Sequence, residues 1–406
     1  MLKALHIAGL SGIGGVEQKL RFYLRESAQR GRIEHHVFVS GSPPHAGLRA
    51  DVMAAAASVS MGKCRWGLKL PRWPTFLRRL NFHDYLRRMD HDVVMLWDRF
   101  GDDELIRALR SVSQAPVVHC ECGGAWYDES DARARGYAEG VSAVVCASQA
   151  CRRVLELRWG WNGRVAAVAN GLRPDCRPET VRPKRLPGGG RVRLGVAARM
   201  KPVKGLCLAV HALKHLRDAG HNAELHLAGG GSARGRRRLR GLVADLDLAR
   251  HVTFHGIVDD MPGFYRGIDV FLCPSLREPF GSVCLEAAAW GCVVVASRVD
   301  GLVEAVQDGV TGRCIAPEVP LAHYPMLGGS RKGLPSFVYD PAADAVVAPK
   351  LVAPQALAQT VAAIVESPDT YEDMSAAAVN RVRTDFPFDR YVTALDDALV
   401  ETAARR

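Results

Sequence analysis

The sequence contains no run of eighteen or more uncharged apolar residues, so it predicts no membrane-spanning helix. It also lacks a repeat at the periods of solenoid proteins, which argues against a repeat array. The first residues, MLKALHIAGLSGIGG, lack the long apolar segment of a signal peptide and run directly into a glycine turn. We therefore expect this segment to form a buried strand.

No Cys-x-x-Cys pair is present, although the chain has 11 cysteines. The one closely spaced pair, Cys120 and Cys122, lacks the second pair of ligands that a zinc site would need. Several other cysteines lie inside apolar runs, among them Cys146, Cys273 and Cys292. Free, buried thiols in a reducing cytosol fit this pattern, and we expect a cytoplasmic protein.

The length and composition favour a globular protein of several domains. A chain of 406 residues exceeds what one ordinary hydrophobic core takes, which indicates two or three domains. Hydrophobic residues make up 48% and charged residues 24%, an ordinary globular composition. The formal net charge of +11 favours acidic partners, namely phosphates, nucleic acid or anionic lipid, and does not choose among them.

Short β-rich segments alternate with longer helical ones, a pattern typical of parallel α/β architecture. Before residue 175 the strand candidates are LKALHIAGL, HHVFVSG, HDVVMLWD, APVVHCE, VSAVVCAS and RVAAVANG. After residue 190 they are VRLGVAAR, AELHLAGGG, HVTFHG, DVFLCPS, CVVVAS and GRCIAP. GVEQKLRFYLRESAQRG predicts a helix that ends at Gly31.

A stretch rich in proline, glycine and basic residues interrupts this alternation from Arg173 to Gly190 and predicts a linker. The segment from Glu318 to Pro349 also breaks the rhythm and predicts an irregular loop. Two parallel sheets joined by a linker would face a central cleft, with ligands at the carboxyl ends of the strands. The predicted division is an N-terminal domain over 1–175, a linker over 176–190, a C-terminal domain over 191–385, and a last helix over 386–406 that packs back on the N-terminal domain.

The richest segment for chemistry runs from Ser275 to Ser297 and has the sequence SLREPFGSVCLEAAAWGCVVVAS. A strand ends there, a loop carries Glu278, and a helix is expected to begin near Gly281 and Ser282, with Ser282 as a good N-cap. Free backbone amides at a helix start form an anion site. Glu286 follows one to two turns into the helix, so the two carboxylates could reach a sugar's hydroxyls and a ribose diol.

This segment resembles the retaining GT-B glycosyltransferases of the family-four type. Glu278 and Glu286, with seven residues between them, match the E-x7-E motif of that family, and EPFGSVCLEAAAWGCVVVAS is similar to its signature for most of its length. The resemblance implies a GT-B fold, with Glu278 beside the donor sugar, Glu286 on the ribose and Phe280 among the donor-binding residues. A chance pair of surface glutamates is the alternative for the two acids alone.

Two cations are the second signal, in VAARMKPVKG. Arg199 and Lys204 match the arginine and lysine that the family places after the first strand of its C-terminal domain. An arginine fork binds phosphate oxygens in pairs and a lysine acts as a point charge, so both suit a diphosphate. The resemblance implies that they stabilise the departing nucleoside diphosphate in place of a metal. Alone, they would be interpreted as solvated surface charges.

Gly14 and Gly15, in the turn after the first strand, are the third signal. The spacing departs from the dinucleotide fingerprint because position 17 is Glu17. In the family this turn faces the donor phosphate, and a plain strand-to-helix turn is the alternative.

Three residues match more loosely. His119 ends the strand APVVH, where many family members have a histidine near the donor sugar, and a core or solvent histidine is an equal alternative. Gly229, in HLAGGG, and Ile257, in HGIVDDM, resemble family positions near the nucleotide.

The resemblance implies transfer of a sugar from a nucleoside-diphosphate sugar to an acceptor hydroxyl with retention of configuration. No D-x-D motif lies where metal-dependent transferases need one, so we expect no metal and no cofactor. No nucleophile stands at glycosidase spacing, and front-face substitution is what the family implies. The expected role is in the assembly of a glycan, lipopolysaccharide, capsule or glycolipid.

The acceptor is less defined than the donor and could be a saccharide, a lipid-linked saccharide or a small molecule. Lys69 to Arg88 mixes aromatic and basic residues, and such a helix could rest on the inner face of an anionic membrane. A half-buried helix with a solvated basic face is the alternative. SARGRRRLRGL is a second basic run, for which a solvated helix face is the simplest interpretation.

Two other classes of function stay open. A non-catalytic or nucleic-acid-binding protein would fit the charge of +11, but the intact set Glu278, Glu286, Arg199 and Lys204 argues against it and against a nucleic-acid partner. A sugar phosphorylase or an epimerase would share the fold, but no signature for either is present.

Overall fold

The computed structural model of the chain consists of two compact units. The first unit consists of residues 1–171 with 388–406, and the second of residues 172–387. The structure describes residues 1–65, 68–70, 76–127, 130–178, 180, 182–186 and 190–405.

A parallel sheet forms the centre of the first unit. Its strands are β1 (Leu2–Ala8), β2 (Ile33–Val39), β3 (Ser58–Met61), β6 (Val93–Trp97), β7 (Val117–Glu121), β8 (Ala143–Cys146) and β9 (Val165–Ala167). The short strands β4 (Cys64–Arg65) and β5 (Leu68–Lys69) form a separate antiparallel pair. The sheet has the order β3-β2-β1-β6-β7-β8-β9, and the paired strands are parallel. β1, β2, β6, β7 and β8 are almost wholly buried, as expected for a parallel sheet covered on both faces.

Helices connect the strands of this sheet. They are α1 (Gly15–Arg30), α2 (Ala46–Ala55), α3 (Phe76–Arg88), α4 (Asp103–Arg110), α5 (Asp131–Glu139) and α6 (Gln149–Trp159). Gly31, with φ 66°, ends α1 in the left-handed conformation, which confirms the predicted helix end.

The second unit repeats this design. Its strands are β10 (Arg191–Ala197), β11 (Asn222–Ala228), β12 (Val252–Gly256), β13 (Val270–Cys273), β14 (Val293–Ser297) and β15 (Gly312–Ile315), and its first helices are α7 (Leu206–Asp218), α8 (Ala233–Asp245), α9 (Met261–Arg266), α10 (Ser282–Ala289) and α11 (Leu302–Ala305). The parallel sheet has the order β12-β11-β10-β13-β14-β15. In both sheets the order in which strands are added therefore reverses beside the first strand, as in doubly wound folds.

The segment from Glu318 to Pro349 is more regular than predicted. β16 (Val319–Pro320) pairs with β19 (Lys350–Leu351), and β17 (Val338–Asp340) pairs with β18 (Ala345–Val347). The expectation of an irregular loop was wrong for these residues, because strands of two or three residues leave no readable periodicity in a sequence. The unit ends with α12 (Pro354–Val365) and α13 (Pro368–Asp385).

The last helix, α14 (Phe388–Ala403), lies in the first unit. Its buried side chains Phe388, Val392, Leu395 and Leu399 join the core that β1 and α1 form. The structure divides the chain after residue 171 and after residue 387. In the predicted linker, residues 179, 181 and 187–189 lie outside the described part.

α3 covers the basic, aromatic segment for which the sequence suggests membrane contact. Phe82 packs on Phe38, with ring centroids 4.8 Å apart, while Arg79 and Arg88 are exposed. This arrangement suits the half-buried alternative, and the membrane contact stays a prediction; residues 71–75 lie outside the description. Among the helices described, none combines the length and the apolar character needed to cross a bilayer.

Candidate active site

The residues of the candidate site gather where the sheet of the second unit changes direction. β10 and β13 are neighbours in that sheet, and the strand order continues to β11 beyond β10 and to β14 beyond β13. Arg199 lies two residues after β10, and Glu278 lies five residues after β13. Ligands of doubly wound sheets bind in the crevice at this kind of position.

Lys204 and Glu278 form an ion pair between the lysine Nζ and the carboxylate Oε2. The two side chains are 21% and 14% exposed, so the pair is shielded but reachable. The structure thus brings together one predicted phosphate ligand and one predicted sugar ligand.

Backbone contacts fix the two loops that carry this pair. Leu276 N donates to the carbonyl of Val203 at 2.8 Å. Gly205 has φ 63°, and a Cβ there would overlap the carbonyl oxygen of Pro274. Only glycine allows the lysine loop to lie this close to the loop after β13.

Asp300 is a positioning residue that the sequence analysis missed. It is fully buried with φ 47°, a left-handed conformation that Asp tolerates better than most residues. Its Oδ2 accepts from the backbone N–H of Glu278 at 2.9 Å, and its Oδ1 accepts from that of Tyr339 at 2.8 Å. The Asp300-Gly301 dipeptide after β14 is a turn signal that could have directed attention to it.

The N-cap of α10 lies one residue earlier in the chain than expected. Gly281 is the N-cap, with φ 96°, and Ser282 is the first helical residue, so the prediction of Ser282 as N-cap was wrong. A Cβ on Gly281 would stand 2.7 Å from Leu302 Cδ2, so the left-handed cap and the packing both call for glycine.

The structure also corrects the prediction for Phe280. Its side chain is 2% exposed, and its ring packs against that of Phe386 with centroids 5.9 Å apart. The ring therefore belongs to the core, where it cannot contact a donor.

Glu286 is buried and already paired. Its carboxylate accepts from Arg173 Nε at 3.1 Å and from the hydroxyl of Tyr265 at 2.8 Å. Burial lowers the pKa of the Arg173 guanidinium, but the charge of Glu286 and other neighbours more than offsets this, and the net pKa is raised. Burial and Glu286 raise the pKa of Tyr265 well above 10.0. No sequence signal singled out Arg173 or Tyr265 as partners of the motif.

Arg199, Gly229 and Ile257 follow the neighbouring strands β10, β11 and β12. Arg199 is exposed and makes no ion pair or side-chain hydrogen bond with any residue that the structure describes. Gly229 has φ 129°, and a Cβ there would overlap the carbonyl of Ala198, so packing explains this glycine. Ile257 is 81% exposed, which leaves its side chain free to cover a ligand.

His119 lies in the interior of the first unit. It is fully buried, its Nε2 is 3.0 Å from Glu121 Oε2, and Tyr137 OH is 2.8 Å from its Nδ1. Glu121 is fully buried as well and accepts from two backbone amides, those of residues 123 and 125. The structure favours the core alternative for His119, because every polar atom of the ring has an internal partner.

Gly14 and Gly15 mark the start of α1. Gly14 is the N-cap in extended conformation, with φ −139°, and Gly15 is the first helical residue. A Cβ on Gly15 would meet no heavy atom within 4 Å in the described part of the chain, so the turn is open at that point. Openness fits both a ligand turn and a plain strand-to-helix turn.

The comparison with protein families matches residues 191–324 to the model of the glycosyl transferases group 1. The matched segment lies wholly within the second unit of the chain, and the chain is similar to the group 1 glycosyl transferases over these residues. The match contains Arg199, Lys204, Glu278, Asp300 and the whole of α10.

Curated glycosyltransferases match over part of the chain. A D-inositol 3-phosphate glycosyltransferase of Acidothermus cellulolyticus is 34% identical over 191 residues, which are 44% of this chain and 42% of the relative. An uncharacterized glycosyltransferase of Methanocaldococcus jannaschii is 38% identical over 119 residues, 29% of this chain and 30% of the relative. The chain thus spans less than half the length of these relatives.

Solved structures match over the full chain. Anabaena HepE, in complex with UDP and glucose, aligns with a TM-score of 0.71 at 17% identity over 100% of both chains. Sucrose-phosphate synthase of Thermosynechococcus elongatus aligns with a TM-score of 0.74 at 18% identity, also over 100% of both chains. The chain has the GT-B fold, with two Rossmann-like parallel-sheet domains.

Proposed function

We propose that the protein is a retaining glycosyltransferase that moves a sugar from a nucleoside-diphosphate sugar to an acceptor hydroxyl. The observation that carries the proposal is the Lys204–Glu278 pair, whose Glu278 backbone is held by Asp300. The pair lies inside the segment that matches the group 1 family, and Arg199 lies in the same segment. The set combines phosphate-binding cations with a sugar-binding carboxylate at the switch point of a doubly wound sheet.

The donor's diphosphate is expected to bind Arg199, Lys204 and the backbone amides at the start of α10. Arg199 has its guanidinium free for phosphate oxygens among the described residues. A phosphate beside Lys204 competes with Glu278 for the ammonium group, which frees the Glu278 carboxylate to accept hydrogen bonds from the sugar.

The reaction breaks the bond between the anomeric carbon and the phosphate oxygen, and it forms a bond to the acceptor oxygen on the same face. The acceptor's proton goes to the leaving phosphate oxygen. The charge that grows on this phosphate is stabilised by Arg199 and Lys204, so we expect transfer without a metal ion. Neither a nucleophilic side chain nor His119 is needed in this scheme.

Glu286 is proposed to hold the ribose diol of the donor. In the ion pair with Arg173 it has already lost most contact with water, since its side chain is 8% exposed. The ribose hydroxyls would therefore share Glu286 with Arg173 and Tyr265, and these two residues would orient the carboxylate.

The names of the similar proteins guide the choice of donors and acceptors to test. HepE was solved with UDP and with UDP-glucose, and another neighbour is the lipopolysaccharide galactosyltransferase WaaB. We propose a role in glycan, lipopolysaccharide, capsule or glycolipid assembly, in the cytoplasm, with acceptor contact at the membrane face through residues 69–88. A nucleic-acid partner is not part of the proposal.

The test is to incubate the protein with UDP-, GDP- and ADP-sugars in EDTA, with simple sugar and lipid acceptors, and to measure the released nucleoside diphosphate. We expect one donor to be consumed and the product to keep the donor's anomeric configuration by NMR. Glu278→Gln should abolish transfer, while Glu372→Gln, which changes a partly exposed acid of the same unit that pairs with Arg185, should not. An inverted product, or equal rates in both variants, would refute the mechanism.

A further inference from the structure

A cavity of about 360 Å³ lies in the second unit, beside the loop that joins Arg199 to Lys204. Its walls are the loop before α7, the first turns of α8 and the segment around residues 324–332. Arg199, Lys204, Glu278 and Glu286 are not among the residues that line it. We call it the basic cavity, after Lys201, Arg234, Arg238 and Lys332.

These four cations line the basic cavity, and no acidic residue does so among the described residues. Lys201, Arg234 and Lys332 have side chains without an ion pair or hydrogen bond in the described part of the chain. Unpaired like charges around one small space repel each other, and a bound anion relieves that repulsion. The basic run SARGRRRLRGL thus lines the cavity through Arg234 and Arg238, while its other basic residues face solvent.

The segment between β16 and β17 closes the basic cavity. The hydroxyl of Tyr324 donates to the carbonyl of Pro202, and Arg238 donates to the carbonyl of Gly329 at 3.1 Å. A Cβ on Gly329 would lie 2.4 Å from the nearest atom of the Tyr324 ring, which is closer than real Cβ atoms approach. The close fit therefore requires glycine. These contacts hold the cavity in shape, and Leu206, Leu239 and the Tyr324 ring give it an apolar floor.

We propose that the basic cavity is a binding site for a small phosphorylated saccharide. Its volume is in the range of about 300–1,000 Å³ that small-molecule sites occupy. The cations suit a phosphate monoester, because charge-assisted hydrogen bonds from arginine and lysine are the strong ones. The apolar floor and the ring of Tyr324 suit the body of a sugar. The site does not depend on the proposed transfer reaction.

Isothermal titration calorimetry of the full chain tests this site with glucose 6-phosphate, inorganic phosphate and glucose as probes. We expect glucose 6-phosphate to bind more tightly than inorganic phosphate, and glucose to bind without measurable affinity. The double variant Lys201→Ala/Arg234→Ala should weaken binding of glucose 6-phosphate at least about tenfold, since each charge-assisted hydrogen bond lost costs about that factor. Both side chains lack internal partners, so the double variant should fold.

Arg237→Ala is the matched control, because Arg237 is an exposed residue of α8 that does not line the cavity. It should bind glucose 6-phosphate like the wild type, and so should Glu278→Gln. Equal affinity for inorganic phosphate would overturn the saccharide part of the proposal. Absence of binding, or equal loss in Arg237→Ala and in the double variant, would overturn the site. Loss in Glu278→Gln would mean that the probe binds at the candidate active site instead.

Discussion

At the scale of single residues, the two carboxylates of the E-x7-E pair have different electrostatic surroundings. Glu278 meets Lys204 at a site that solvent still reaches, whereas Glu286 meets Arg173 in the interior. An exposed pair contributes little to stability, but removing one partner of a buried pair leaves an uncompensated charge. The first pair is thus suited to exchange partners with a ligand, and the second to stay fixed.

Arg173→Met should destabilise the second unit because it leaves the Glu286 carboxylate buried without its cation. The expected loss is about 3–5 kcal/mol of unfolding free energy, measured by urea denaturation. Adding Glu286→Gln to this variant should recover part of the loss. Arg177→Met, four residues on and exposed, should stay within about 0.5 kcal/mol of the wild type. Equal stability of Arg173→Met and Arg177→Met would contradict the buried pair.

The residues that sequence patterns could identify here are those with local signals. Glu278 and Glu286 were found by their spacing, and Arg199 and Lys204 by their places at the end of a strand and before a glycine. The contacts of Glu278 with Asp300, and of Glu286 with Arg173 and Tyr265, join residues 21 or more positions apart, and no local pattern encodes such contacts. Phe280 shows the opposite case: its position in the motif predicted contact with the donor, but its ring is buried in the core.

At the scale of elements, a chain of hydrogen bonds ties the sheet of the first unit to its last helix. Trp97 Nε1 donates to His6 Nδ1 at 3.1 Å, so His6 must donate through Nε2 to His35 Nδ1, at 2.9 Å. His35 Nε2 then donates to Ser27 Oγ, which donates to Asp396 Oδ1 at 2.7 Å. Both histidines are neutral in this arrangement, and β6, β1, β2, α1 and α14 are joined through one polar path.

Acid should destabilise the first unit through the two histidines of this hydrogen-bonded path. Burial, and then the charge of His36, lower the pKa of His35 from 6.5 to about 4, and burial lowers that of His6 well below 6.5. The unfolded chain therefore binds protons first, so stability is full above pH 6.5 and falls as the pH drops toward 4, by roughly 3 kcal/mol for His35 alone. Burial raises the pKa of Asp396, whose protonation acts in the opposite direction.

Urea denaturation of the first unit, followed between pH 7 and pH 5, checks this expectation. His35→Gln should flatten the pH dependence, because the titrating group is gone. His323→Gln, which changes an exposed histidine of the second unit, should leave it unchanged. A wild-type midpoint that does not move between pH 7 and pH 5 would contradict the assigned neutral state.

The strands of both sheets were predictable because buried parallel strands are continuous apolar runs bounded by turn residues. β3 and the short strands β16 to β19 were not, since they are brief and partly exposed, and only pairing with a neighbour makes them strands. The role of Asp300 was likewise not predictable, because it depends on hydrogen bonds to Glu278 and Tyr339, which are distant in sequence.

At the scale of the whole molecule, the first unit is built from two separate parts of the chain. α14 comes last in sequence but supplies core residues beside β1, β6 and α1. Chain ends fray unless tertiary contacts hold them, and Leu395, fully buried, is one such contact. The first unit therefore cannot complete its core until the second has been synthesised.

Leu395→Ala should destabilise the first unit by about 2–5 kcal/mol, the usual effect of a large cavity in a core. Hydrogen exchange followed by peptide should show lost protection in β1, β2 and α1, and unchanged protection in β10 to β15. Val400→Ala, on a less buried face of α14, is the control and should have a smaller effect. Equal loss of protection in both units would contradict their separate cores.

The central claim, a nucleoside-diphosphate site on the second unit, is tested most directly by thermal shift. UDP, GDP, ADP, CDP and dTDP are added in EDTA to the wild type, to Lys204→Ala and to Lys350→Ala, an exposed control. A ligand at a hundred times its dissociation constant adds about 2.7 kcal/mol. We predict a rise of several degrees with one nucleotide in the wild type and in Lys350→Ala, and its loss in Lys204→Ala. No rise with any nucleotide, or an equal rise in Lys204→Ala, would contradict the site.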